Sequence, residues 1–157
     1  MIAMTGRQFG SDDDIRRVAD AMMACALPAT AWTHAAHWTV ALWLIAQRTD
    51  LHPPTDMPGL IRRYNESTVG TNTDTSGYHE TITQASLRAA RAWLAEAPRD
   101  APVCATLDRL PASPLGRSSW LAEFWSKERL MSVEARRGWV EPDLAPFAYP
   151  PYPTREA

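Results

Sequence analysis

The chain of 157 residues has only two cysteines, Cys25 and Cys104, and neither has a second cysteine at CxxC spacing. This pattern does not support a zinc knuckle or another paired-cysteine motif. Two reduced thiols are the simpler interpretation, with a disulfide left open. The sequence also lacks the GxSxG, P-loop, GxGxxG and HExxH motifs. It therefore has no signature of a serine-hydrolase elbow, a phosphate-binding loop or a zincin.

The sequence has neither a large excess of one charge sign nor a long apolar run. Lys and Arg number 16 against 18 Asp and Glu, for a formal net charge of −2. No dense basic block occurs, so we expect no nucleic-acid or membrane-surface partner. The longest apolar run, residues 40–46, is much shorter than the roughly 20 residues of a membrane span. Because the N-terminus also lacks a signal-peptide pattern, a cytoplasmic protein is expected.

Apolar residues make up 45% of the chain and recur with helical periodicity. The main helices are predicted at about 12–25, 32–48, 58–67, 77–96 and 117–137, with a further short one at 103–110. No stretch shows the alternation typical of strands. The sequence therefore predicts an all-α fold in which four to five helices of a single domain (1–157) form a bundle. A flexible arm (1–10) is expected before it, and a proline-rich aromatic segment (139–157) is expected to pack on it as an extended strap.

Histidines mark the candidate site. His34 and His37 lie three residues apart on one face of the predicted second helix, where two imidazoles can converge on one point. His79, in the segment GYHETIT, is predicted in the first turn of the fourth helix and also faces an apolar side. The positive end of the helix dipole disfavours imidazolium, and a neutral imidazole is what a metal ion or a general base requires.

These three histidines predict a metal site inside the bundle. Three histidines with an open coordination position are the ligands of catalytic zinc sites, and some non-haem iron sites use the same ligands. We therefore expect one divalent metal ion, zinc or iron, on His34, His37 and His79.

Glu80, Glu66 and Tyr78 are the candidate catalytic residues. Either carboxylate could bind the metal ion or move protons, and Tyr78 could orient His79 or carry protons. The substrate is expected to be a small molecule that enters near the long polar loop at 67–77, STVGTNTDTSG. The expected function is a metal-dependent enzyme, with hydrolytic or oxidative chemistry undecided.

Two other interpretations explain the same histidines. They could act in acid–base catalysis without a metal ion. They could also be polar core residues of a non-catalytic domain that binds a small molecule or a protein. The tryptophans are interpreted most simply as core. A homodimer also stays open, since the aromatic strap could cover a neighbouring subunit.

Three motifs resemble an uncharacterised family of small bacterial helical proteins: THxxH at 33–37, GYHET at 77–81 and a KERLxSxEAR-like segment at 127–136. The resemblance implies where the site lies and carries no mechanism. A looser likeness to DinB-like helical metalloproteins implies a divalent ion held by three histidines of a four-helix bundle. Those proteins place a lone histidine before an HxxxH pair, whereas this chain has its pair first and at tighter spacing.

Overall fold

The structure, a computed structural model, describes residues 10–68 and 70–154. All of the predicted arm except Gly10 lies outside the described residues. Within them the chain forms α-helices and short 3₁₀ turns and no strand, which confirms the all-α prediction. The α-helices are α1 (Asp12–Met23), α2 (His34–Gln47), α3 (Pro53–Thr68), α4 (Glu80–Glu96), α5 (Val103–Asp108), α6 (Lys127–Leu130) and α7 (Val133–Arg137). None of the helices described is long and apolar enough to cross a lipid bilayer.

Helix α2 is the centre of the fold. Its N-cap is Thr33, whose hydroxyl accepts a hydrogen bond from the Ala36 amide at 3.2 Å. The helix is apolar on nearly all sides and packs against α1, α3, α4 and α5. Such a helix is stable only when neighbours cover it, and Trp38 and Leu42 are accordingly 2% and 0% exposed.

Helix α1 begins as predicted, because the Ser11 hydroxyl accepts a hydrogen bond from the Asp14 amide at 3.4 Å. Asp12 contacts a different helix. Its carboxylate accepts hydrogen bonds from the amides of Val103 and Cys104, at 3.1 and 2.8 Å. These amides open α5, whose own N-cap residue is a proline without a side-chain hydrogen bond. A side chain of α1 therefore caps α5.

Helix α3 begins at Pro53 rather than at 58, and it contains Pro58. Pro58 has no N–H, so the carbonyl of Pro54 has no partner within the helix. Gln84 of α4 donates its side-chain N–H to this carbonyl at 3.0 Å. The neighbouring helix thus satisfies the backbone group that the proline leaves unpaired, and α3 continues through it.

The prediction of one long helix over 117–137 is wrong. The structure has a 3₁₀ turn at Trp120–Glu123, followed by α6 and α7, which are four and five residues long. Ser126 and Ser132 interrupt the helix, since each has an extended backbone, with ψ of 154° and 156°. Each hydroxyl accepts a hydrogen bond from the amide three residues later and so begins a new short helix.

The C-terminal strap, residues 139–154, forms no regular element and packs against the helices of its own chain. The ring centroid of Phe147 lies 5.1 Å from those of both Phe124 and Trp125. Further along, the Pro153 carbonyl lies 3.1 Å from Nε2 of His52. Aromatic packing of this kind stabilises the segment that carries Trp125.

Candidate functional site

A cavity of about 880 Å³ lies between α2, α3, α4 and the segment 118–131. We call it the histidine cavity, because His34 and His37 line it. Its size falls in the range of small-molecule pockets, about 300–1,000 Å³. Most of the lining is apolar or aromatic, and the described residues contribute no carboxylate to it.

His37 lines this cavity and has one ring nitrogen without a protein partner among the described residues. Its Nδ1 lies 2.7 Å from the Thr33 carbonyl, which can only accept, so Nδ1 carries the proton and Nε2 of the neutral ring has a lone pair. No group in the described part of the chain bonds to Nε2. The ring is exposed and packs on Trp32, with ring centroids 3.9 Å apart. His37 therefore offers one acceptor to an occupant of the cavity.

Surrounding protein atoms lower the pKa of His37 to about 4. Loss of hydration is the largest cause; the Thr33 carbonyl opposes it by stabilising the protonated ring, and neighbouring His34 lowers the pKa further. The residue nevertheless keeps solvent-accessible surface. His37 is therefore a neutral imidazole at pH 7.

His34 also lines the cavity, but protein groups already contact its Nε2. The indole N–H of Trp38 donates to this nitrogen at 3.1 Å, and the Leu115 carbonyl lies at the same distance from it. An indole N–H only donates and a carbonyl only accepts, so the neutral ring can bond to one of the two at a time. A ligand or metal ion at this nitrogen would displace the hydrogen bond from Trp38.

His79 is the N-cap of α4, which begins at Glu80 and not at 77 as predicted. The Ile82 amide donates to Nδ1 at 3.1 Å, so the ring proton is on Nε2, which donates to the Leu130 carbonyl at 2.6 Å. The residue is only 7% exposed, and burial lowers the pKa of the imidazole. Both ring nitrogens therefore bond to the backbone.

The structure places two of the three histidines at the cavity. His34 and His37 line it, and His79 does not. Among the described residues, no group of three His, Cys, Asp or Glu side chains is arranged to hold a metal ion. A metal site on all three histidines stays a prediction. It requires a nitrogen of His79 to exchange its backbone partner for the ion.

Tyr78 and Glu80 form a hydrogen-bonded pair that does not line the cavity. The Tyr78 hydroxyl donates to one oxygen of Glu80, and Gln84 donates to the other at 3.4 Å. The guanidinium of Arg62 lies 4.6 Å from the Tyr78 ring centroid. Burial, followed by the contact with Glu80, raises the pKa of Tyr78. Its hydroxyl therefore stays protonated at neutral pH, and catalytic roles for this pair stay predictions.

Glu66 is exposed and accepts a hydrogen bond from Asn72 of the polar loop at 3.3 Å. Asn72 holds this loop closed, since its oxygen accepts from the Asn65 side chain (3.0 Å) and the Tyr78 amide (2.9 Å). At Gly77, where φ is 86°, a Cβ would lie 2.7 Å from the same oxygen. No described residue of the loop lines the cavity. Entry of a ligand beside the loop therefore has no support from this geometry.

Sequence reasoning missed several lining residues, above all Lys127, Trp120 and Trp125. The two tryptophans are buried, as expected of core residues, and they also line the cavity. No sequence signal separates these roles, because a cavity wall and a core both need apolar side chains at the same spacing. Lys127 lies in the segment that was wrongly predicted as one continuous helix.

A shallower hollow of about 650 Å³ lies along the strap, lined by Arg88 and residues 141–151. It is more open to solvent than the histidine cavity and contains none of the predicted site residues. Its charged groups, Arg88, Glu141 and Asp143, have both signs. The histidine cavity is therefore the better candidate site.

A scan against models of protein families, a search of curated proteins and a search of solved structures each found no match to this chain. The resemblance of the THxxH and GYHET segments to a bacterial family stays a prediction, as does the likeness to DinB-like proteins. Function must therefore be inferred from the geometry and chemistry of the site.

Proposed function

We propose that the protein binds a small molecule with a large apolar part in the histidine cavity, and that His37 accepts a hydrogen bond from the polar group of this ligand. One observation carries the proposal: the neutral His37 ring lines a large, mainly apolar cavity, and its Nε2 has no partner among the described residues. This nitrogen is an acceptor that no described group uses. A ligand N–H or O–H would supply that partner.

Binding fits this site better than acid–base catalysis by His37. An efficient general base has a pKa near the operating pH, whereas the pKa of His37 is lowered to about 4. Glu66 and Glu80, the other candidate bases, do not line the cavity. A ring in this state accepts hydrogen bonds but removes few protons at neutral pH.

The uncharged aromatic amine N-phenyl-1-naphthylamine is a suitable probe, because its fluorescence rises in apolar surroundings and its N–H can donate. We expect the protein to bind it. Ser86→Phe on α4 and Ala41→Phe on α2 place a ring in the cavity, and each should weaken binding by about tenfold or more.

Ala95→Phe is the matched control, since Ala95 lies exposed on α4 and does not line the cavity. It should bind the probe like the wild type. Thermal unfolding confirms that each variant is folded. If folded Ser86→Phe and Ala41→Phe both bind the probe as tightly as the wild type, the cavity is not the binding site.

A metal ion on His37 is the second candidate, and the contact with Thr33 favours it. Metal-binding histidines usually donate their other ring N–H to a carbonyl or carboxylate, and Nδ1 of His37 makes such a contact. His34 would become a second ligand on release of Trp38. About one zinc or iron per purified chain, absent from His37→Phe, would favour the metal-dependent enzyme over the binding protein.

We also propose a cytoplasmic location. Both cysteines are free thiols, and Cys104 is buried. Free thiols persist best in a reducing compartment. Cell fractionation followed by detection of the native protein tests this, and recovery from an oxidising compartment would contradict it.

A further inference from the structure

Lys127 is the one cationic side chain that the described residues contribute to the lining of the histidine cavity. Its side chain is exposed, and no carboxylate in the described part of the chain lies within ion-pair distance of it. The acidic residue that contacts the start of α6, Asp143, accepts hydrogen bonds from the amide and hydroxyl of Ser126, at 2.7 and 2.6 Å. The lining therefore includes a lysine without a carboxylate partner among the described residues.

The charge of the lining favours an anionic group in the ligand. His37 is neutral at pH 7, and the described lining residues include no carboxylate that could pair with a cation. Complementary charge at a binding site favours one sign of ligand and disfavours the other. An ammonium group in the ligand would be repelled by Lys127 and would find no carboxylate among the described lining residues.

The apolar part of the lining is rich in flat aromatic surface. Four tryptophans line the cavity, namely Trp32, Trp38, Trp120 and Trp125. The indole N–H groups of Trp38 and Trp125 bond to His34 and to the Val140 carbonyl, so they are not available to a ligand. Trp38 and Trp125 therefore offer ring surfaces, and aromatic groups pack on ring faces and edges with energy beyond simple burial.

On the basis of the proposed function, we propose that the ligand is an aromatic acid, a planar ring system with one anionic group. The rings pack among the tryptophans, the anionic group pairs with Lys127, and an N–H or O–H of the ligand donates to His37. Lys127 thereby determines which charge the site accepts, and His37 contributes the hydrogen bond.

Two probes with the same aromatic body separate these contributions. The dye 8-anilino-1-naphthalenesulfonate carries a sulfonate, and N-phenyl-1-naphthylamine lacks it. We expect Lys127→Gln to weaken binding of the sulfonate probe about fivefold, as is typical of a partly exposed ion pair. Binding of the uncharged probe should change by less than about twofold, since it makes no ion pair.

Arg99→Gln is the matched control, because Arg99 is exposed and lies outside the cavity lining. It removes the same charge and should leave both affinities unchanged. If Lys127→Gln leaves the sulfonate probe unaffected, or if Arg99→Gln weakens it equally, the aromatic-acid inference is overturned while binding of the uncharged probe still supports the proposed function. If the wild type fails to bind the uncharged probe, the proposed function itself is overturned.

Discussion

His37 and His79 both stand near the start of a helix and both have a lowered pKa, yet their ring nitrogens make different contacts. At α2, one nitrogen of His37 contacts the backbone and the ring lines a cavity. At α4, both nitrogens of His79 bond to backbone groups, one in its own helix and one at the end of α6. The first histidine keeps an acceptor for a ligand, and the second stabilises the fold. A histidine at a helix start therefore indicates a binding site only when one nitrogen has no protein partner.

The largest expected effect is on stability, from His79→Ala. This change removes the cap from the Ile82 amide and leaves the Leu130 carbonyl without a donor, losses that together amount to about 2–4 kcal/mol. His37→Phe should change the free energy of unfolding by less than about 1 kcal/mol, because it keeps a ring against Trp32. Urea denaturation measures both.

His79→Asn is the control for this prediction. Asparagine is a good N-cap residue but is too short to replace the contact with Leu130, so it should recover about 1 kcal/mol of the loss. Equal destabilisation by His79→Ala and His37→Phe would contradict the distinction between the two histidines.

The second effect is on ligand affinity. Here a change at His37 should have the larger effect and a change at His79 the smaller one, the reverse of their effects on stability. His37→Phe retains the ring but loses Nε2, so binding of N-phenyl-1-naphthylamine should weaken by about three- to tenfold, the value of one hydrogen bond. His79→Asn should weaken binding less than His37→Phe does, because His79 does not line the cavity and reaches its wall only through the Leu130 carbonyl. Fluorescence titration measures both, and equal affinities would show that His37 does not contact the probe.

The third effect concerns pH. NMR titration should give His37 a pKa of about 4, against the ordinary value of 6.5. As the pH falls from 6.5 towards 4, the unfolded chain protonates His37 while the folded chain does not, so stability decreases over this interval and not further below it. The titratable group that acts on His37 is His34 on the same helix.

His37→Phe should remove this part of the pH dependence, and unfolding measured across the same interval checks it. A His37 resonance that titrates near 6.5 would instead indicate a well-hydrated ring, in which case burial does not keep the imidazole neutral.

The smallest expected effect is that of added zinc on the melting temperature. Any rise in the melting temperature should disappear in His37→Phe and persist in His79→Asn. One nitrogen of His37 has no partner among the described residues, whereas both nitrogens of His79 bond to the backbone. Loss of the zinc effect in both variants would instead support the predicted site on three histidines.

Local signals made part of the fold predictable. Helix α1 follows from Ser11 and the apolar periodicity after it, and α2 from its continuous apolar surface, since both signals lie within the helix itself. The segment 117–137 was mispredicted as one helix because its apolar residues recur at helical spacing, a signal that does not reveal the breaks at Ser126 and Ser132. Their hydroxyls accept hydrogen bonds from nearby amides, and each serine begins a new short helix.

That His34 and His37 share one side of a helix could be predicted, but the contacts of their ring nitrogens could not. His34 and His37 do line a cavity, as a polar pair on an apolar helix suggests. Whether an imidazole nitrogen is available depends on carbonyls far away in sequence. Leu115 is 81 residues from His34, and Leu130 is 51 residues from His79. No pattern within one helix contains that information.

The hydrogen bonds from Asp12 to the start of α5 have a consequence for the order of folding. A helix of six residues is far too short to be stable alone, and its cap lies 91 residues earlier in the chain. Closing so long a loop is slow, so α5 should form only after α1 has docked on the bundle. During synthesis, more than half of the chain must therefore be made after α1 before Asp12 can accept hydrogen bonds from the start of α5.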